Sequence, residues 1–242
     1  MPAGDNAPWR PVVERCLADP PVVHLMDVEG RLGLWSTEAD CYRFLAERGA
    51  TAGTTLETGA GLSTVILAAV GARHTAVTPL GDEVDRLREY CAERDISLER
   101  VEFCIGRSER VLPDLDDGEL GLVLIDGNHG FPVPMADFLY GAGRLRRGGV
   151  LVVDDLQLAV PGLLAQFCDL DDGWRPITRT AKWGAWERMS EGPLHDDHYH
   201  QPFLVKAWDP DRLRSPLRWT ARRAVSKVRY EMRKLSSSSR RR

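Results

Sequence analysis

The stretch TTLETGAGLSTVILAAVGA, residues 54–72, decides the fold. A β-like run, TTLET, enters a glycine-rich turn, Glu57-Thr58-Gly59-Ala60-Gly61, and an apolar helical pattern follows. Strand, glycine turn and helix in that order open an α/β domain and let a ligand approach bare backbone. The charge of that ligand is the first question. A phosphate-cradling P-loop needs a Lys after its second glycine, and none stands here. A dinucleotide turn wants a third small residue, where this chain has Thr64 in Gly59-x-Gly61-x-x-Thr64. Glu57, two residues before the first glycine, would repel a pyrophosphate. It favours a ligand bearing an ammonium or sulfonium group, because opposite charges a few ångströms apart attract strongly at low dielectric.

The pattern continues outward from this unit. Strand-like runs are HTAVTP (74–79), VEFCIG (101–106), LGLVLID (120–126) and GGVLVVDD (148–155). Helix-like runs separate them: GDEVDRLREYCAERD, SERVLPDL, PMADFLYGAGRLRRG and VPGLLAQFCDL. Short unbroken apolar strands alternating with helices predict a parallel sheet covered on both faces, a doubly wound α/β fold. WRPITRT and WGAWERM read as a closing antiparallel pair, which makes the mostly parallel sheet seven-stranded. Trp183 and Trp186 in that pair read as packing residues. Upstream, STEADCYRFLAERGA reads as a helix capped by Ser36, and residues 1–50 as helices and turns. The expected organisation is an N-terminal helical cap (1–50), a ligand-binding domain (51–190) and a loop with a basic helical extension (191–242).

In an open parallel sheet, ligands bind at the carboxyl ends of the strands. The polar residues there are Glu57, Thr78, Gly106 to Ser108, Asp126, Asp154 and Asp155. They are expected to share one crevice.

Composition sets the class. The chain has 242 residues, 43% hydrophobic and 28% charged, enough for one sizeable α/β domain. No apolar run approaches the ~18 residues that span a bilayer, and the N-terminus shows no signal-peptide pattern. Five scattered cysteines without C-x-x-C read as reduced thiols, so a cytoplasmic location is expected. Net charge is −4, but residues 212–242 carry twelve Lys/Arg against one acid. The body is acidic and the tail basic.

The runs LETGAGLSTV, HTAVTPLGDEVDRLREYC, GRSERVLPDL, LVLIDGNHGFPVPMADF and RRGGVLVVDD resemble class I S-adenosylmethionine (SAM)-dependent methyltransferases, and most nearly the bacterial methyltransferase family 24. The likeness covers roughly residues 35–190. It implies a Rossmann-like fold in which Glu57, Gly59 and Gly61 cradle the methionine part of SAM. Ser63 and Thr64 would open the helix whose amides take the carboxylate. Gly106 and Ser108 would face the adenine, and Asp126 would lie near the sulfonium and the acceptor. One position departs from the family: Thr78 stands where an acid ordinarily holds the ribose hydroxyls. Thr78 makes a weaker contact there, unless Asp82 or Glu83 reaches back.

The acceptor end draws on Asp126, His129, Asp154 and Asp155. SAM is already activated, so the enzyme positions the acceptor and removes its proton. Asp126, Asp154 and Asp155 read as a hard oxygen site suited to Mg²⁺, which acts as a Lewis acid on an acceptor hydroxyl. His129 is then the general base. The expected activity is O-methylation of a small polar acceptor, a sugar or secondary metabolite. The alternatives are an NAD(P)-dependent oxidoreductase and a non-catalytic binding protein on the same scaffold. The HDDHYH cluster (195–200) reads as a solvated loop. In the tail, Leu217, Ala221, Ala224, Val228, Met232 and Leu235 recur at helical steps amid Arg and Lys. A solvated or self-docked helix is the default reading of that segment, and peripheral contact with an anionic membrane is the next. Nucleic acid is disfavoured, because the acidic body repels a polyanion.

Overall fold

A computed structural model describes residues 7–27, 29–116, 118–191 and 194. The basic tail and the 195–200 cluster lie outside the described residues. The chain begins with α1 (Arg10–Ala18), β1 (His24–Leu25), β2 (Leu32–Gly33) and α2 (Ala39–Ala52). It continues with β3 (Thr54–Thr58), α3 (Leu62–Ala69), β4 (Arg73–Thr78), α4 (Gly81–Glu93) and β5 (Val101–Ile105). Then come α5 (Ser108–Val111), β6 (Leu120–Ile125), α6 (Val133–Tyr140), β7 (Leu145–Val153), α7 (Ala159–Leu170), β8 (Trp174–Arg179) and β9 (Gly184–Arg188).

The main sheet has seven strands in the order β5-β4-β3-β6-β7-β9-β8. The first five are parallel, and β9 runs antiparallel to both β7 and β8. This is the doubly wound architecture expected from the alternation. β6 is buried along its whole length, which explains why it reads as an unbroken apolar run. Its residues alternate between two cores. Leu122 and Leu124 face Leu45, Ile66, Val152 and Trp183. Val123 and Ile125 face Leu56, Leu151, Leu164 and Trp186. Each such side chain contributes about 1.5–3 kcal/mol by leaving water. Trp183 and Trp186 are 2% and 0% exposed, so both are core residues. The end of α2 lies hard against β6: a Cβ on Gly121 would stand 2.1 Å from the Ala52 carbonyl oxygen. Only glycine fits that approach.

Four local readings are corrected. Ser36 does not cap α2; the helix begins at Ala39 after an extended Glu38, with no side-chain cap. Residues 34–36 instead line the central cavity. The first fifty residues also contain strand pairing, His24 with Gly33 and Leu25 with Leu32. SERVLPDL is helical only to Val111 and tightens to a 3-10 turn at Leu112–Asp114, where Pro113 cannot donate to an α-helix. The run PMADFLYGAGRLRRG breaks at Gly141, and Leu145 already belongs to β7. Buried Arg188 fixes that break. Its Nη1 donates to the carbonyls of Ala142, Gly143 and Leu145 at 2.8, 3.0 and 2.9 Å. No helix among the described residues is long and apolar enough to cross a membrane.

Candidate active site

A cavity of about 930 Å³ opens at the carboxyl ends of β3, β4, β6 and β7. The wall includes Glu57 to Ser63, Thr78 to Leu80, Arg107 to Glu109, Asp126 to His129, Asp154, Asp155 and Lys182. His24, Leu34 to Ser36 and Tyr42 join it from the N-terminal segment. The volume is near the top of the ~300–1,000 Å³ range of small-molecule sites, and suits a cofactor together with a small acceptor.

The glycine turn is held from below. Glu57 is 1% exposed. Its Oε2 accepts from Ser63 Oγ at 2.5 Å, and its Oε1 accepts from Thr64 Oγ1 and lies 3.0 Å from His74 Nε2. His74 Nδ1 lies 2.9 Å from Thr55 Oγ1. Thr64 Oγ1 also accepts from the Gly61 amide at 3.0 Å. The Glu57 charge therefore stands at the cavity wall while both its oxygens serve the turn. The hydroxyls of Ser63 and Thr64 likewise point to Glu57, which leaves backbone amides at the start of α3 to face a ligand. Gly59 has φ +103°, and a Cβ there would stand 2.6 Å from the Asp126 carbonyl oxygen. Any side chain would push the turn off the loop after β6.

On the far side of the turn, Thr78 is buried and its hydroxyl accepts from the Leu80 amide at 3.3 Å. Ser108 lines the cavity; Gly106 does not, and packs toward Val111. Glu83 lines the cavity, and Asp82 is exposed and outside it. Asp137 lies buried behind the wall near the hydroxyls of Ser108 and Thr58, and neither of its carboxylate oxygens has a hydrogen-bond partner among the described residues. Burial pushes the Asp137 carboxyl up to about 6, against the downward pull of those two hydroxyls.

The opposite end is acidic. Asp126 is crowded by protein and opens only partly to the cavity. Burial, then the charges of Asp154, Glu57 and Asp155, raise its carboxyl well above the usual range. Adjacent Asp residues on a continuing strand would point to opposite sides. β7 ends at Val153 and Asp155 has φ +55°, so both carboxylates reach the cavity wall. Asp154 Oδ1 accepts from Thr37 Oγ1 at 2.6 Å, and burial raises its carboxyl too. Asp155 Oδ2 lies 2.8 Å from His129 Nε2. Its Oδ1 accepts from Lys182 Nζ and from Gln157 Nε2, both at 2.7 Å. Burial pushes the Asp155 carboxyl up, but the bonds from Lys182 and Gln157 outweigh it and hold it below the usual value.

The metal trio differs from the expected one. The ligand atoms of Asp126, His129 and Asp155 all lie within 4.8 Å of one another. His129 takes the place expected for Asp154, which turns to Thr37 and to Lys182 Nζ at 3.7 Å. Sequence reasoning missed Lys182, Thr37, His24 and His74. Lys182 sits in the turn between β8 and β9, and reaches the site because β9 lies against β7. A short turn bearing one Lys carries no signal of that adjacency.

Comparison with known proteins agrees with this geometry. Residues 56–156 match the family model described as a methyltransferase domain, methyltransferase family 24. A search of curated proteins found no match. Among solved structures, cofactor-bound Rv0187 from MTB is 19% identical with a TM-score of 0.56, covering 77% of this chain and 92% of its own. The O-methyltransferase TomG from Streptomyces achromogenes, in complex with SAM, is 17% identical with a TM-score of 0.55, covering 78% and 92%. The SAH-bound methyltransferase PaMTH1 of Podospora anserina is 14% identical with a TM-score of 0.53, covering 78% and 90%. Identities this low speak to the fold, and the family match speaks to the domain built on it. Over residues 56–156 the chain is similar to this methyltransferase family, and its fold is that of the class I SAM-dependent methyltransferases.

Proposed function

We propose that this SAM-dependent methyltransferase methylates a hydroxyl of a small polar acceptor, a sugar or secondary metabolite. The observation that carries the reading is the Asp126, His129 and Asp155 group beside the Gly59 turn. The methyl group of SAM is activated by its sulfonium, so catalysis consists of in-line positioning and proton removal. His129 takes the hydroxyl proton. Asp155, 2.8 Å from His129 Nε2, orients the imidazole and balances its charge. Lys182 fixes Asp155 from the other side.

A second reading gives the same three residues to Mg²⁺. Two carboxylates and an imidazole at this spacing suit a divalent ion. When bound, the ion supplies Lewis-acid lowering of the hydroxyl pKa. His129 is then a ligand rather than a base. Calorimetric titration with S-adenosylhomocysteine (SAH), NAD⁺ and NADP⁺, each with and without Mg²⁺, tests the proposal. Selective SAH binding is expected. NAD(P)⁺ binding instead would move the chain to hydride transfer. Mg²⁺ binding that disappears in Asp155→Asn and in His129→Ala would favour the ligand role of His129.

A further inference from the structure

Lys182 is the one lysine among residues 1–205, where every other permanent side-chain cation is Arg. It sits in the turn that joins β8 to β9, and its backbone is tied at both amide and carbonyl. The amide donates to Thr180 Oγ1 at 3.0 Å, and the carbonyl accepts from the Leu156 amide at 2.7 Å. Leu156 directly follows Asp155, so the second bond seats the turn on the loop after β7. Beside it, buried Trp183 donates from its indole to Asp40 Oδ1 at 3.0 Å. The side chain is aimed by these anchors. Its Nζ lies 2.7 Å from Asp155 Oδ1 and 3.7 Å from Asp154 Oδ2, and its charge also acts on Asp126. The Lys182 side chain is 28% exposed, and those of Asp154 and Asp155 are 3% and 19%. Partly buried charges like these are screened less than surface pairs.

An ammonium is a compact point charge, whereas a guanidinium is a planar fork that favours bidentate partners. Among converging carboxylates the ammonium is the closer match to a small hard cation. We propose that the Lys182 ammonium is the resident cation of the acidic end, holding beside Asp155 the position that a divalent ion would need. Asp155 is already engaged on both oxygens. Its Oδ1 accepts from Lys182 and Gln157, and its Oδ2 lies 2.8 Å from His129 Nε2. Asp154 gives its Oδ1 to Thr37. An ion bound through Asp126, His129 and Asp155 would have to part the His129–Asp155 pair. It would also stand close to a unit positive charge, and like charges a few ångströms apart repel strongly. The inference rests on the reading of His129 as general base, and it deepens that reading. With Lys182 supplying the positive charge, His129 is left to take a proton rather than to hold an ion.

The test is titration of the full chain with Mn²⁺, followed by calorimetry and by the electron paramagnetic resonance of the free ion. The wild type is expected to bind Mn²⁺ no more tightly than ~1 mM, the weak end for oxygen-rich ion sites. Lys182→Met keeps a stem of similar length and loses the charge. It is expected to bind Mn²⁺ at least ~10-fold more tightly than wild type, and adding Asp155→Asn is expected to cancel the gain. Lys182→Arg restores a positive charge and is expected to behave as wild type. Wild-type binding tighter than ~1 mM, a result that needs no variant to fold, would overturn the proposal. So would a Lys182→Met that gains nothing, or a gain that Lys182→Arg shows equally. Failure of the general-base reading has a separate signature, turnover that survives His129→Ala, so the two failures are told apart.

Discussion

His74 Nε2 lies 3.0 Å from Glu57 Oε1, with side chains 0% and 1% exposed. The residue that opens the cofactor turn is therefore held from the next strand, β4, and not only by the turn. His74→Ala strips Glu57 and Thr55 of a buried partner. The expected cost is about 1–3 kcal/mol, read as a fall of several degrees in melting temperature. Glu57→Ala is expected to weaken SAH by an order of magnitude or more, through the turn and the lost charge together. Unchanged SAH affinity in both variants would sink the link from β4 to the cofactor.

Gly59→Ala meets two obstacles at once, φ +103° and the Asp126 carbonyl 2.6 Å from the added Cβ. Left-handed backbone at a non-glycine residue costs about 1–3 kcal/mol, and the clash shifts the loop carrying Asp126. SAH binding is expected to be lost while circular dichroism shows the fold retained. Normal SAH affinity in this variant would mean that the turn is not the cofactor contact.

His129→Ala is expected to lower turnover by about 10²- to 10⁴-fold, the usual share of a general base, with SAH affinity within about twofold of wild type. Steady-state kinetics beside calorimetry separates the two. Parallel losses in both would reassign His129 to holding the loop.

Asp137 predicts a pH effect on stability. Its folded carboxyl is raised to about 6 from the usual value of 3.8, chiefly by burial. The folded state therefore holds a proton that the unfolded state has released between these values. Stability falls as pH rises through about 4 to 6, and the loss persists above that. Asp137→Asn is expected to flatten this slope and to raise stability at pH 7, by up to about 3 kcal/mol. Urea titrations at pH 4 and pH 7 measure both arms.

Deleting residues 212–242 removes twelve Lys/Arg and one acid. Vesicles rich in phosphatidylserine are expected to bind the full chain and not the truncated one, with SAH affinity equal in both. Full-chain binding that is absent, or insensitive to salt, would end the electrostatic account of the tail.

Sequence patterning determined the sheet and the crevice. The strand positions were readable because β6 and the end of β7, Val150 to Val153, are buried on both faces and so form unbroken apolar runs. The carboxyl-end rule then gathered Glu57, Thr78, Ser108, Asp126, Asp154 and Asp155 without any contact being known. Helix starts were less readable, as Ser36 shows: an N-cap residue type caps only if tertiary contacts leave the chain free to turn there. Tertiary structure alone decided the partners. Lys182 meets Asp155 because β9 docks on β7, and His24 meets Glu83 across 59 residues of chain. The positive φ of Asp155 put both acids of an adjacent pair on the cavity wall. Local periodicity encodes which face of an element is buried. It carries no information about which polar side chains from distant segments the sheet order will bring within hydrogen-bond reach.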